Sequence, residues 1–450
     1  MFKSINPYDQ SVIEEFPTID SATLQKKLDL SAKAFQHWRK ESFASRAERF
    51  NKLAQLLRQN RDTYAQMISV EMGKVFHEAQ PEIDRCANTC EFYAIHAEKF
   101  LQDQEIITDA RKSMVALQPV GAVLAIMPWN FPFWQVLRFA IPTIMAGNVA
   151  LLKHAPNVCR AALTIVSLFR EAGFPEGVFQ TLLVKVDTVE KIIQSDVVQA
   201  VTLTGSEYAG SQVASIAGRN IKKSVLELGG SDPFIVLPDA DVTAAVATAT
   251  RSRMQNAGQS CICAKRFIVV EQVKGKFIDT FKQNVMALRQ GNPLESSITT
   301  GPMARLDLAE KLEKQMRDSM KAGAILLAGG ERTGCNFTPA LLDNVLPGMP
   351  AFDQETFGPL ACITTVKTEV EAIAYANNTR YGLGASIWSR DVEKATRLAR
   401  EINSGSVFIN ALVKSDMRLP FGGVKKSGYG RELSELGIKE FMNAKTIVTG

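Results

Sequence analysis

Residues 120–153 read VGAVLAIMPWNFPFWQVLRFAIPTIMAGNVALLK, and the interpretation of this stretch decides the fold around it. It is apolar enough to suggest a membrane span. Pro128, Asn130, Pro132, Arg138 and Pro142 interrupt it, however, so no clean apolar run of about 18 residues survives. A buried strand, a turn held between two prolines, an apolar helix over Phe133–Ala146 and a second strand fit it better. No membrane association is expected.

Working outward, short apolar runs alternate with amphipathic ones. Val149–Leu152, Val178–Val184, Ala200–Leu203 and Ser224–Leu228 have strand character, and Arg160–Ala172 and Tyr208–Ala217 have helical character. Such alternation predicts βαβ units on a parallel sheet, the usual home of a dinucleotide. Upstream, from about Ser21 to Phe100, apolar residues such as Phe50, Leu53, Leu57, Tyr64 and Met67 recur at helical spacing. Downstream, a second α/β unit is expected to begin near Gly229. It carries strands at Pro233–Leu237 and Phe267–Val270 and helices at Val242–Asn256 and Leu306–Lys321. Leu419–Arg431 is expected to be a loop, and Glu440–Thr449 an extended tail or strand.

The composition sets limits. A chain of 450 residues exceeds one ordinary core, which predicts two or three domains. A formal charge of +5, with no basic run, gives nucleic-acid binding no support. The seven cysteines form no paired C-x-x-C spacing, which argues against a disulfide framework or a zinc site. Reduced thiols in a cytoplasmic protein are the expectation, and Met1–Gln10 lacks the apolar core of a secretory signal.

The G-x-G-x-x-G dinucleotide fingerprint is absent, so another feature must hold any phosphates. Leu203-Thr-Gly205-Ser206 ends a strand and opens a helix. It is either a phosphate contact at a helix N-terminus or a plain N-cap. Asn256-Ala-Gly258-Gln-Ser-Cys261-Ile-Cys263 sets two thiols just past a glycine that lets backbone approach a bound molecule. A nucleophilic thiol needs a base or a positive field. Glu227, between leucines and before Gly229-Gly230, is either a buried base of raised pKa or a misplaced surface charge. Asn130, between Pro128 and Pro132, is either an oxyanion donor or the cap of a rigid turn.

Together these residues resemble the aldehyde dehydrogenase superfamily over nearly the whole chain. Ile5-Asn-Pro7, Glu71-Met-Gly-Lys74, Pro128–Pro132, Lys153, Gly205-Ser206, Glu227–Gly230, Gly258–Cys261, Glu355-Thr-Phe357-Gly-Pro359 and Pro420-Phe-Gly-Gly423 occur in that family's order. The resemblance implies a cofactor-binding domain (1–107 and 122–228), a catalytic domain (229–432), both with parallel-sheet cores, and an oligomerisation segment (108–121 and 433–450). It implies a homodimer or homotetramer, with Thr108–Leu117 and Glu440–Thr449 as interface strands. It makes Cys261 the nucleophile that forms a thiohemiacetal and then a thioester, and Asn130 with the Cys261 N–H the oxyanion donors. Glu227 becomes the base that activates hydrolytic water. Trp129, Lys153, Gly205, Ser206, Glu355 and Phe357 match cofactor-contacting positions.

Within that superfamily the chain looks most like the succinate-semialdehyde dehydrogenases. Arg138 matches an arginine that holds the substrate carboxylate, and Ser415 a second such position. A buried arginine needs an anion, from a ligand or from the protein itself. Where those enzymes often carry another arginine, before the asparagine of the cysteine loop, this chain has Gln255. Arg418 is the candidate to compensate. Pro156 replaces a glutamate that would repel a 2′-phosphate, so NAD and NADP both remain open. The rival readings are a dehydrogenase of another aliphatic aldehyde and a cysteine-dependent ester hydrolase.

Overall fold

A computed structural model describes all of residues 1–450. The stretch 120–153 forms a strand at Ala122–Met127, a helix at Trp134–Met145 and a strand at Val149–His154. Every residue of that helix is buried, as a helix without a polar face must be. The two strands pair in parallel, from Ala122 opposite Val149 to Met127 opposite His154. No helix of the chain is long and apolar enough to cross a membrane.

From edge to edge the first sheet runs Gly428–Tyr429, Lys223–Glu227, Val198–Thr204, Ala122–Met127, Val149–His154 and Phe179–Thr181. The chain lays down the Ala122–Met127 strand, adds two strands on one side, and returns to add two on the other. The order therefore switches between Ala122–Met127 and Val198–Thr204. At such a point the connections leave in opposite directions and open a crevice at the carboxyl ends of the strands. Pro128–Pro132, Gly205-Ser206 and Leu228–Gly230 are the turns at those ends.

The second sheet runs Ile325–Ala328, Ala340–Asp343, Leu360–Val366, Ala264–Val270, Asp232–Val236, Gly384–Trp388 and Ser406–Ile409. It is parallel apart from its first pair. The chain reaches it from Glu227 through Leu228–Ser231, so the carboxyl end of one sheet leads directly to the amino end of the other. The Cys261 loop and the Glu355–Pro359 loop also enter this sheet at its amino end. Both sheets thus present their loops to one junction.

Two features differ from the sequence reading. Gly428–Tyr429 pairs antiparallel with Lys223–Glu227, so part of the stretch expected as a loop, within the segment 229–432, closes the edge of the first sheet. The N-terminus forms a hairpin of Phe2–Ile5 with Val12–Phe16, a pairing that short polar strands do not announce. A third, antiparallel sheet joins Met442–Thr449 to Lys112–Pro119 and then to Gln104–Glu105.

Buried charges fix the turns against the helices. Glu71 accepts hydrogen bonds from the Arg160 and Ala161 N–H groups at 3.0 and 3.1 Å, capping the helix Cys159–Glu171, and from Ser4 Oγ at 2.6 Å. Glu82 does the same for the helix after Pro132, accepting from the N–H of Phe133 at 2.9 Å and of Trp134 at 3.1 Å. Its second oxygen pairs with Lys74, whose ammonium also lies 3.7 Å from the centre of the Phe131 ring. These contacts give Glu71 and Lys74 a physical role: they anchor the helix starts behind the junction. Replacing Glu82 with Ala strips two buried N–H groups of their acceptor and leaves a buried ammonium unpaired. The expected loss of stability is about 3–5 kcal/mol, read as a lower urea midpoint; a loss near zero would contradict this role.

Candidate active site

A cleft of about 200 Å³ opens at the junction, lined by Pro128, Trp129, Asn130, Gln135, Thr204, Gly205, Ser206, Leu228, Gly229, Cys261, Leu308, Lys311, Glu355 and Phe357. Of the residues singled out in the sequence, Cys261, Asn130, Trp129, Gly205, Ser206, Glu355 and Phe357 meet here. Trp129 and Phe357 pack edge to face across it, ring centres 5.8 Å apart. Gly229 sits so close to Glu355 that a Cβ would lie 2.5 Å from its Oε2, so a larger residue there would displace the carboxylate. The Gly230 N–H donates to Glu355 Oε1 at 3.0 Å and holds the carboxylate in place.

The loop that carries Cys261 is strained and heavily braced. After the helix Val242–Met254, Asn256, Ala257 and Gly258 take φ of 55, 50 and 68°, the left-handed region. For the two non-glycine residues this costs of order 1–3 kcal/mol each. The Asn256 N–H donates to Glu78 Oε2 at 2.7 Å, and its side-chain amide donates to the Asn130 carbonyl at 2.9 Å. A Cβ on Gly258 would lie 2.3 Å from the Gly358 carbonyl oxygen, so the two motif loops are in backbone contact. Arg253, fully buried, donates to the carbonyls of Leu360 at 2.7 Å, Thr356 at 2.8 Å and Gly358. It also reaches Cys263 Sγ at 2.9 Å, which makes Cys263 part of the wall behind the Cys261 loop. Lys265, also fully buried, donates to the carbonyls of Ser260 and Cys261 at 2.9 and 2.8 Å and lies 3.5 Å from Glu355 Oε1. One cation therefore ties the cysteine loop to the carboxylate across the cleft.

Electrostatics favour a protonated thiol at rest. Burial pushes the Cys261 thiol up to about 12; Arg138 and Lys265 pull it down, while Glu227 and Glu355 push it up. Glu227 is buried behind the cleft, and neither oxygen has a hydrogen-bond partner. Burial, then the nearby Glu432, holds its carboxyl well above the usual range, against the pull of Arg138 and Arg431. This is a buried acid of raised pKa, not a surface charge. Asn130 is buried and its amide donates to the Gln259 carbonyl at 3.0 Å, leaving one N–H uncommitted. The Cys261 backbone N–H makes no hydrogen bond.

The remaining candidates are placed differently. Lys153 is buried at the end of its strand, outside the residues that line the cleft, and its side chain makes no hydrogen bond or ion pair. Beside it, His154 accepts from the Ala155 N–H at Nδ1 and contacts the Pro132 carbonyl through Nε2 at 3.0 Å. Burial lowers its pKa to about 4, so it is a neutral tie between that strand and the 128–132 turn. Ser206 both lines the cleft and caps its helix, accepting from the Ala209 N–H at 3.2 Å. Arg138 has an internal anion: its Nε lies 2.6 Å from Glu432 Oε2, and its guanidinium stacks over Phe421 at 4.7 Å. Its Nη2 is buried without a partner. Ser415 is half-buried and makes no side-chain hydrogen bond. Arg418, expected to stand in for the arginine missing at Gln255, is engaged elsewhere in this structure. Its side chain is exposed and bound at both ends to Asp416, Nε to Oδ1 at 2.8 Å and Nη2 to Oδ2 at 2.6 Å.

Sequence reasoning missed Arg253, Lys265 and Glu432, which brace or charge the site from behind. Arg253 and Lys265 carried a signal, since each is a cation within ten residues of Cys261. Glu432 carried none, because only the returning strand Gly428–Tyr429 brings it near Arg138.

The comparisons with known proteins agree with this geometry. The aldehyde dehydrogenase family model matches residues 1–447. The chain is 48% identical to a probable NADP(+) succinate-semialdehyde dehydrogenase of Synechocystis sp., over 99% of this chain and 98% of that one. It is 43% identical to the NAD(P)+ succinate semialdehyde dehydrogenase of Escherichia coli, over 99% and 97%. The crystal structure of succinic semialdehyde dehydrogenase from Streptococcus pyogenes with NADP+ superposes with a TM-score of 0.97 at 37% identity, covering 99% of both chains. A match along the whole chain, together with a cysteine, an asparagine amide and a glutamate carboxylate in one cleft, makes the chain a member of the aldehyde dehydrogenase family.

Proposed function

We propose that this protein oxidises succinate semialdehyde to succinate with NAD or NADP as electron acceptor. The observation that carries the reading is the shared cleft: Cys261 faces the same space as Asn130, Trp129, Ser206 and Glu355. The named activity of the Synechocystis and Escherichia coli relatives supports the choice of aldehyde.

The residues present suit a dinucleotide. The helix Glu207–Arg219 starts at the cleft with its N-terminus, and Gly205 leaves room beside it for a phosphate. Lys153, free of any ion pair, would meet the adenosine end, and Glu355 and Phe357 the nicotinamide ribose. No carboxylate stands at Pro156, which leaves space for a 2′-phosphate. When bound, the nicotinamide accepts the hydride.

The chain's own groups do the rest. The Cys261 thiol loses its proton and adds to the aldehyde carbon. The resulting oxyanion takes the free N–H of Asn130 and the backbone N–H of Cys261; one such donor is typically worth about 3 kcal/mol. The thioester left after oxidation is hydrolysed by water that gives its proton to Glu227 in its ionised form, a form that burial disfavours and that rising pH restores. The unpartnered Nη2 of Arg138 and the Ser415 hydroxyl are the proposed contacts for the distal carboxylate. The exposed edge strand Met442–Thr449 is the proposed homo-oligomer contact, since an unpaired strand edge favours pairing with a second copy. Seven cysteines, all free, suit a cytoplasmic location.

Two measurements check this reading. Purified protein with succinate semialdehyde and NADP should show absorbance growth from reduced cofactor, abolished in Cys261→Ala. No cofactor reduction with the aldehyde, together with acid release from an ester such as p-nitrophenyl acetate, would favour a hydrolase instead. Without cofactor, inactivation by iodoacetamide should accelerate about tenfold per pH unit across the neutral range, because the thiolate fraction keeps rising toward a pKa of about 12. A plateau near pH 7 would show a thiol already ionised.

A further inference from the structure

The turn 128–132 and the cysteine loop contribute adjacent residues to two cavities. Trp129, Asn130 and Cys261 face the cleft described above, whereas Phe131, Ser260, Ile262 and Cys263 line a second cavity of about 110 Å³. Three cations, Arg85, Arg251 and Lys414, share that second lining with Gln255, and no acidic residue does. None of the three makes an ion pair within 4.0 Å or a side-chain hydrogen bond.

Arg85 is the innermost of them. It is half-buried, whereas Arg251 and Lys414 are exposed at the rim. Its guanidinium lies over the Trp134 ring at 5.3 Å, which fixes its plane without using its N–H donors. The carboxylates nearest on its own helix are already engaged: Glu82 by Lys74 and two backbone N–H groups, Glu78 by the Asn256 N–H. Burial lowers the pKa of Arg85; the charge of Glu82 works against this from a distance, and the like charge of Arg138 on the neighbouring helix adds to it. Two arginines held near each other, with only one of them paired, leave a positive field that an anion would relieve.

We infer that Arg85 holds the distal carboxylate of the substrate from this second cavity, taking the place of the arginine absent at Gln255. Phe131 and Ile262 give an apolar wall for the methylene carbons, and Arg251 and Lys414 draw the anion in from solvent. The inference rests on the reading of the substrate as a carboxylate-bearing aldehyde. It names a residue that neither the motifs nor the spacing had marked.

Steady-state kinetics with NADP, comparing succinate semialdehyde with butanal, test it in the full-length enzyme and in Arg85→Gln and Arg85→Lys. Wild type should prefer succinate semialdehyde. Arg85→Gln should raise its KM by roughly tenfold to a hundredfold, as for a lost charge-assisted contact. Its kcat, and kcat/KM for butanal, should stay within about twofold, and Arg85→Lys should recover part of the lost affinity. An Arg85→Gln enzyme that keeps its wild-type KM while wild type still prefers the carboxylate substrate would overturn the assignment of Arg85 and spare the substrate reading. Equal losses on both aldehydes would show a merely structural role and also overturn it. A wild type without preference would remove the substrate reading and the inference with it.

Discussion

The site depends on one constraint of chain path. Between Glu227, the last residue of a strand in the first sheet, and Asp232, the first of a strand in the second, lie only Leu228–Ser231. So short a crossing sets the carboxyl ends of one parallel sheet against the amino ends of the other. Loops that open at a topological switch in the first sheet are thereby brought against loops that enter the second. A thiol, an amide and a carboxylate from distant parts of the sequence then share a cleft. Gly229 matters within this crossing because Glu355 packs where a side chain would stand.

Holding the Cys261 thiol in place at such a junction needs rigidity, and strain is part of how it is obtained. Two non-glycine residues in the left-handed region cost a few kcal/mol together. Arg253 offsets this through charged hydrogen bonds to three carbonyls, each worth about 1.5–3 kcal/mol. Lys265 adds a direct link between the loop and Glu355. The buried cations around Cys261 thus serve geometry and electrostatics at once. They fix the loop carbonyls, and Lys265 and Arg138 also favour the thiolate against the cost of burial.

Much of this was legible in the sequence because period and order survive without coordinates. The strand–turn–helix–strand over 120–153 follows from apolar runs broken by Pro128, Pro132 and Pro142, and its burial from the lack of a polar face. The cleft residues were legible from motif order. What stayed hidden depends on long-range contact. That Arg138 meets Glu432 follows from the strand Gly428–Tyr429 returning to the first sheet, and no local pattern encodes that. Arg418 suggested a substrate contact through its position, yet Asp416 two residues earlier captures it. Arg85 lies on an amphipathic helix where any arginine reads as a solvated face, and only the packing of that helix on Trp134–Met145 reveals what it faces.

Held at the sheet junction, Cys261 is proposed to be the one thiol that carries the acyl group. Acid quenching during steady turnover with aldehyde and NADP, followed by peptide mass spectrometry, addresses it most directly. An acyl adduct is expected on the peptide bearing Cys261, accumulating further in Glu227→Gln because its hydrolysis is slowed. An adduct confined to another cysteine, or its absence in both enzymes while reduced cofactor forms, would contradict it.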